Sequence, residues 1–217
     1  YVIDKKIDAF SLDISHALPL VAIISVPAAF VFFAFGTLIG KSLFFGVDEA
    51  SAEFLGKVLA GFAFGAIPLS MNLVGIRALN AFENTKYQFV STLITNLVAI
   101  ALSLIAFTAL EPEEVVIGLA VAFALSYWVG LFVTDYLLKR FTNKMLLTRE
   151  LPFYFKVSLV AGVAVALASL TLRVVDLGGN IPNLLMVLFI TSLAYLLLAR
   201  LAKIKEVSET VKTVLRR

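Results

Sequence analysis

The sequence contains no cysteine, one histidine and few charged side chains among its 217 residues. Without cysteine, a disulfide framework and thiol chemistry are both excluded. The single His16 cannot build a metal cluster, and no nucleophile–base pair or glycine-rich phosphate loop is found. Charged residues make up 15%, against about 25% in ordinary globular chains. We therefore expect no catalytic residue, no cofactor and no bound metal.

Apolar residues dominate instead, at 61% of the chain with a mean hydropathy of +1.00. Uncharged runs occupy 17–40, 58–76, 87–110, 115–134, 157–172 and 177–199. A helix needs roughly 20 residues to cross a hydrocarbon core about 30 Å thick. The 157–172 run reaches that length if it extends back to Leu151 and Lys156 reaches the interface. The sequence predicts an all-α polytopic membrane protein with six transmembrane helices. Helices are expected because lipid offers no hydrogen-bond partners to the unpaired backbone groups of an open strand.

Amphipathic segments flank the apolar runs, and they suggest four parts. Residues 1–16 carry an apolar stripe at helical spacing and predict a cytoplasmic interfacial helix. Residues 17–140 form a four-helix part, and 151–202 form the final two transmembrane helices. Residues 203–217 form a basic cytoplasmic tail, which repeats the amphipathic pattern.

Charge predicts the orientation. Six helices place both termini on one side, and with a cytoplasmic N-terminus 15 of the 18 Lys and Arg residues lie on the cytoplasmic side. This bias explains the net charge of +3 without a nucleic-acid partner. The basic residues are expected to meet membrane lipid headgroups.

Polar residues in or beside the apolar runs are the remaining functional signal, because burial in lipid is costly for them. The candidates for a cavity or gate are Arg77, Asn80, Asn72, Asn96 and Ser126. Arg77 either anchors its helix at the interface or binds an anionic headgroup, which suits its planar fork. Asn80 follows three residues later on the same helical face. Asn96 is either an interhelical partner or a ligand.

Two prolines and several glycines mark helix geometry. Pro27 and Pro68 lie inside predicted helices, where they are structural kinks or hinges. The spacings GTLIG and GFAFG predict close helix contacts. Asp135 is expected to pair locally with Lys139, four residues on.

Four motifs in order along the chain carry a family resemblance: LPLVAIISVPAAF, IGKSLFFG, GIRALNAFENTKYQ and IGLAVAFALSYWVGLFVTDYLLKR. Over roughly residues 10–200 the chain resembles the C-terminal half of the MurJ/MviN lipid II flippases. These belong to the multidrug/oligosaccharidyl-lipid/polysaccharide exporter superfamily. Departures lie in the third motif, where Asn84 replaces the usual Asp. Asn96 is followed at i+4 by Ile100, which argues against the sodium site of some members.

The resemblance implies the ninth to fourteenth helices of a fourteen-helix transporter in the bacterial cytoplasmic membrane. It implies export of a lipid-linked peptidoglycan precursor by alternating access, with the last two helices forming part of a groove for the lipid tail. The chain opens without Met, so a missing N-terminal lobe of the same protein is the expected partner. Two alternatives remain. One is a polysaccharide-lipid or drug exporter of the same superfamily, and the other is a non-transporting anchor that recruits cell-wall partners.

Overall fold

A computed structural model describes residues 2–44, 46, 48–82, 85–204 and 206–207, with side chains from residue 7 onward. The described chain is all-helical, as predicted, and contains no strand. The six helices are α1 (Val2–Leu43), α2 (Glu49–Ala81), α3 (Thr85–Ala109), α4 (Val115–Thr142), α5 (Leu151–Val174) and α6 (Asn180–Leu201), with a 3₁₀ turn at Thr148–Glu150 before α5.

All six helices are long and apolar enough to cross a membrane, which confirms the prediction of six spans in the described residues. Even the shortest, α6 with 22 residues, extends about 33 Å at the usual helical rise. Large apolar side chains cover the outside of the bundle; on α3 they include Leu93, Leu97, Leu104 and Phe107. Such a surface suits contact with lipid tails rather than water.

The helices form a row rather than a ring. α2 lies between α1 and α4, and α3 packs on the far side of α4. α5 and α6 pair with each other and pack against α1 on the opposite side. A buried cluster joins all these parts, with Leu18, Met71, Leu131, Val157 and Tyr195 among its members.

The bundle has two chemically distinct ends. The basic end holds the first turns of α1, the last turns of α2, α4 and α6, and the α4–α5 connection. The α2–α3 connection also lies at the basic end, whereas the acidic end holds the α1–α2, α3–α4 and α5–α6 connections, with Asp48, Glu111, Glu113 and Glu114. Asp48 caps α2 there, because its Oδ2 accepts a 3.2 Å hydrogen bond from Ser51 N. Hydrogen bonds from the Ser51 side chain and from its backbone N–H lower the pKa of Asp48.

Small residues bring the helices together, which confirms the predicted role of GTLIG and GFAFG. A Cβ on Gly36 would lie 2.8 Å from the Gly56 carbonyl oxygen, so α1 and α2 cross backbone to backbone. A Cβ on Gly65 would lie 2.7 Å from the Ala124 Cα, so α2 and α4 cross equally closely.

α1 starts earlier than the predicted first transmembrane helix. The described residues of 1–16 continue into residues 17–34 as one uninterrupted stretch of helix, without a break at residue 16. The reason is a buried stripe at four-residue spacing, Ile14, Leu18 and Ala22, which keeps the helix on the bundle across that boundary. Phe10 also contacts Phe82 at the end of α2, with ring centroids 4.7 Å apart.

The departure from helical geometry in α1 lies at Phe35, with φ −115° and ψ 18°, and not at Pro27. Helix α2 continues through Pro68, which is buried. The hinge roles of Pro27 and Pro68 stay predictions.

Parts of two predicted segments lie outside the described residues. In the α2–α3 connection these are Glu83 and Asn84. In the predicted tail they are residue 205 and residues 208–217. The described part of the tail packs inward, with Ile204 and Val207 each 1% exposed.

Candidate functional site: an apolar groove between α1 and α6

A long groove lies between α1 and α6. It encloses about 630 Å³ and is lined by Ile23, Pro27, Ala28, Val31, Phe32, Ile39, Leu43, Leu184, Leu188, Thr191, Ser192, Tyr195, Leu196 and Val207. The α1 residues from Ile23 to Leu43 extend about 30 Å along the helix, the thickness of a hydrocarbon core. The lining is almost entirely apolar, and Phe32, Leu43 and Leu188 are exposed. The groove can therefore hold one extended hydrocarbon chain that enters from the side.

A hydrogen bond from α6 closes the wall of the groove at Pro27. Proline has no backbone N–H, so the carbonyl of Ile23, four residues earlier, loses its helical partner. The Tyr195 hydroxyl donates to this carbonyl oxygen at 3.2 Å. Tyr195 is 5% exposed, so the bond lies away from the surface.

Thr191 lies one turn before Tyr195 on the same face of α6 and also lines the groove. It is 2% exposed, and its hydroxyl oxygen has no hydrogen-bond partner among the described residues. Ser192 lines the groove beside it. Ser192 is exposed, whereas the Thr191 hydroxyl oxygen is buried within the wall.

The α5–α6 pair is also fixed at the basic end. The Tyr154 hydroxyl, on α5, donates to the Leu18 carbonyl oxygen of α1 at 3.0 Å. The Asp135 carboxylate, on α4, is fully buried and accepts four hydrogen bonds from the α4–α5 connection. Their donors are the backbone N–H groups of Leu146, Leu147 and Thr148, at 2.8–2.9 Å, and the Thr148 hydroxyl, at 2.6 Å.

The expected pairing of Asp135 with Lys139 is therefore wrong. Both carboxylate oxygens of Asp135 are occupied by the following connection, and Lys139 is exposed. Sequence spacing could not reveal this, because the partners are backbone groups beyond the end of α4. A buried carboxylate without these donors would be strongly disfavoured.

A chain of polar side chains joins α2, α3 and α4. The Thr134 hydroxyl donates to Asn72 Oδ1 at 2.5 Å, and Ser91 Oγ lies 2.6 Å from the same hydroxyl. Because Thr134 uses its only proton on Asn72, Ser91 must donate to Thr134. A Cβ on Gly130 would lie 2.4 Å from Thr95 Oγ1 and 3.0 Å from Asn72 Nδ2, so only glycine leaves room beside this chain.

The sequence-predicted candidates do not form one cluster. Arg77 and Asn80 are exposed on α2 near the basic end, separated by the buried Ala78 and Leu79. Asn96 is exposed on α3.

Asn72 and Ser126 are buried at 2% and 1% exposure. Asn72 belongs to the polar chain, and Ser126 donates to the Phe123 carbonyl of its own helix at 2.7 Å. Pro27 is the one predicted residue that lines the groove. The roles proposed for the other candidates stay predictions.

The sequence analysis did not identify Thr191 and Tyr195, which lie in a mostly aliphatic segment. A signal was present: both hydroxyls fall on the stripe Val187, Thr191, Tyr195 and Ala199, spaced by four residues. The partner of Tyr195 could not be found, because Ile23 lies 172 residues away in sequence.

Comparison with known proteins gives one family and no individual relative. Neither the curated proteins nor the solved structures yield a significant match. The family model described as "Lipid II flippase MurJ" matches residues 2–180. This region includes α1 to α5 and therefore one wall of the groove and the whole polar chain. Because the match covers far more than half of the 217 residues, the chain belongs to the lipid II flippase MurJ family.

Proposed function

We propose that this chain is the C-terminal part of a lipid II flippase and that its α1–α6 groove holds the hydrocarbon tail of the lipid-linked precursor. One observation carries the proposal, namely an apolar groove that follows α1 for about the thickness of a membrane and opens at the side. A flippase must keep the tail in an apolar path while the polar headgroup crosses. The family is one of transporters, and the chain is a multi-pass membrane protein.

The order of the helices supports a place at the C-terminal end of the transporter. α5 and α6 form a separate pair beside the four-helix part, as the resemblance implies for the thirteenth and fourteenth helices. A lobe of the same superfamily supplied by preceding sequence would complete the cavity on the far side. In this proposal the basic end is cytoplasmic, as the distribution of Lys and Arg favours.

Arg77 and Asn80 are proposed to meet the anionic headgroup at the basic end. Both are exposed, as contact with a headgroup requires. Arg77→Ala is expected to lower flipping by about tenfold, and Arg77→Lys by less, since lysine keeps the charge and loses the planar fork. Lys86→Ala is the matched control, because Lys86 is an exposed cation at the start of α3 near the same end. Equal losses from Arg77→Ala and Lys86→Ala would remove Arg77 from the site.

The function is tested in cells in which the full-length protein is the sole lipid II flippase. Depletion is expected to stop the appearance of lipid II on the outer leaflet, and re-expression is expected to restore it. If export continues during depletion, the cargo is a different lipid-linked sugar or drug, and the proposal fails.

A groove-blocking variant separates transport from anchoring. Ala28 is exposed in the groove, so Ala28→Trp is expected to fill it and abolish rescue. Ala101→Trp is the control, because Ala101 is exposed on α3, far from the groove. Full rescue by Ala28→Trp would instead favour a non-transporting anchor that recruits cell-wall partners.

A further inference from the structure

We propose that Tyr195 is a positioning residue of the groove, which holds α6 on the carbonyl that Pro27 leaves open and so sets the width of the groove. Its hydroxyl donates to α1, so the role proposed for it is to position α6 and not to bind a polar group of the lipid. The inference rests on the proposed function for its effect on transport, but its effect on geometry is independent of it.

The hydrogen bond of Tyr195 depends on Pro27, which leaves the Ile23 carbonyl without its helical donor. Within a membrane span no water replaces a lost helical donor, so a carbonyl freed by proline needs a partner from another helix. Ile23 is four residues before Pro27, and Tyr195 supplies the partner from α6. Pro27 and Tyr195 therefore act together: the proline creates the acceptor, and the tyrosine uses it.

Tyr154 provides the contrasting case. Its hydroxyl also donates to α1, at Leu18, but the residue four positions after Leu18 is Ala22, which keeps its backbone N–H. The Leu18 carbonyl therefore has a helical partner with or without Tyr154. Removal of the Tyr195 hydroxyl leaves a buried acceptor unpaired, whereas removal of the Tyr154 hydroxyl does not.

The position of the bond makes Tyr195 a pivot. Tyr154 and Tyr195 contact α1 at Leu18 and Ile23, near its middle and on the basic-end side of Pro27. Nearer the acidic end, the described contacts of α5 and α6 with α1 are apolar, between Phe35, Ile39, Val165, Ala168 and Val187. The non-helical Phe35 lies in that second half. Without directional bonds there, α6 can swing away from α1 beyond Tyr195 and widen the groove.

The test is a double-mutant cycle in the full-length protein. Pro27→Ala returns an N–H to position 27, which can donate to Ile23, so the Tyr195 hydroxyl becomes dispensable. The variants are Tyr195→Phe, Pro27→Ala and their combination, with Tyr154→Phe as the control in both backgrounds. Because this chain has no cysteine, spin labels at Phe32→Cys and Leu188→Cys report the groove width within it. Lipid II export is measured in parallel.

We expect Tyr195→Phe to broaden the distance distribution and lower export by about tenfold, the typical effect of one lost buried hydrogen bond. In the Pro27→Ala background the same change should alter export by less than about twofold. Tyr154→Phe should have the same effect in both backgrounds. If Tyr195→Phe prevents folding, Pro27→Ala should restore the folded protein.

Three outcomes would overturn the inference: no change in groove width with Tyr195→Phe, an equal change in both backgrounds, or a folding defect that Pro27→Ala leaves unrepaired. Failure of the proposed function has a different signature. In that case the distances follow the predicted cycle, while the unaltered protein exports no lipid II.

Discussion

At the scale of single residues, several buried polar groups of the described chain join a helix to another helix or to a connection. Asp135 is the clearest example, with four hydrogen bonds on a fully buried carboxylate. The sequence spacing predicted a local pair of Asp135 with Lys139 and could not identify the actual donors, because most of them are backbone N–H groups, which every residue type except proline carries. Asn72 was likewise marked, whereas its partners Thr134 and Ser91 were not.

Replacement of Asp135 should loosen the α4–α5 connection. Asp135→Ala leaves three backbone N–H groups without their acceptor, so we expect a loss of about 3 kcal/mol in unfolding free energy. Asp135→Asn should lose less, since the amide oxygen still accepts two of these bonds. The exposed Asp13→Ala is the control. Thermal unfolding in detergent measures the three variants, and a melting temperature for Asp135→Ala equal to that of the unaltered protein would contradict this role.

The polar chain can be tested with a change that preserves shape. Thr134→Val removes the hydroxyl between Asn72 and Ser91, and we expect a loss of about 2 kcal/mol. Thr108→Val is the matched control, because the Thr108 hydroxyl is exposed and contacts carbonyls of its own helix. The same unfolding assay applies. If the two threonine variants lose equal stability, the hydrogen bonds of Thr134 do not stabilise the packing of α2, α3 and α4.

At the scale of helices, hydropathy and small-residue spacing predicted the elements well. The uncharged runs gave six helices, and GTLIG and GFAFG marked the crossings of α1 with α2 and of α2 with α4. The start of α1 was predicted poorly, since a run of uncharged residues marks the lipid-spanning part of a helix and not its full length. The break at Phe35 was also missed, because proline is the visible sign of a kink and Phe35 is an ordinary core residue.

The α2–α4 crossing predicts a graded effect of adding one methyl group. Gly65→Ala would place its Cβ 2.7 Å from the Ala124 Cα, and backbone cannot move aside locally. We expect a loss of about 2 kcal/mol, typical of overpacking. Gly118→Ala is the control, because its nearest atom is the end of the flexible Leu110 side chain. Detergent unfolding should rank Gly65→Ala as the more damaging of the two, and the reverse order would contradict the close crossing.

At the scale of the whole molecule, composition was sufficient to predict a membrane protein but not the location of its groove. The groove forms because α6 packs against α1, and no sequence feature of either helix predicts this contact. Within the described residues α6 lies at one end of the row beside α1, and no further helix packs on that side, where the groove forms.

The difference in charge between the two ends of the bundle predicts its orientation in the membrane. Single cysteines at Lys144 and Glu113 report opposite ends, and this chain has no cysteine to interfere. In intact cells a membrane-impermeant thiol reagent should label Glu113→Cys but label Lys144→Cys only after the membrane is opened. The opposite pattern would place the basic end outside and contradict the charge rule.

The most direct test of the central claim is to capture the transported lipid in the groove. A photoreactive amino acid at Leu188, inside the groove, is compared in living cells with one at Leu104, on the lipid-exposed surface of α3. The account predicts a lipid II adduct from position 188 that is lost with Ala28→Trp, and only bulk phospholipid adducts from position 104. Equal lipid II capture at both positions, or none at position 188, would contradict it.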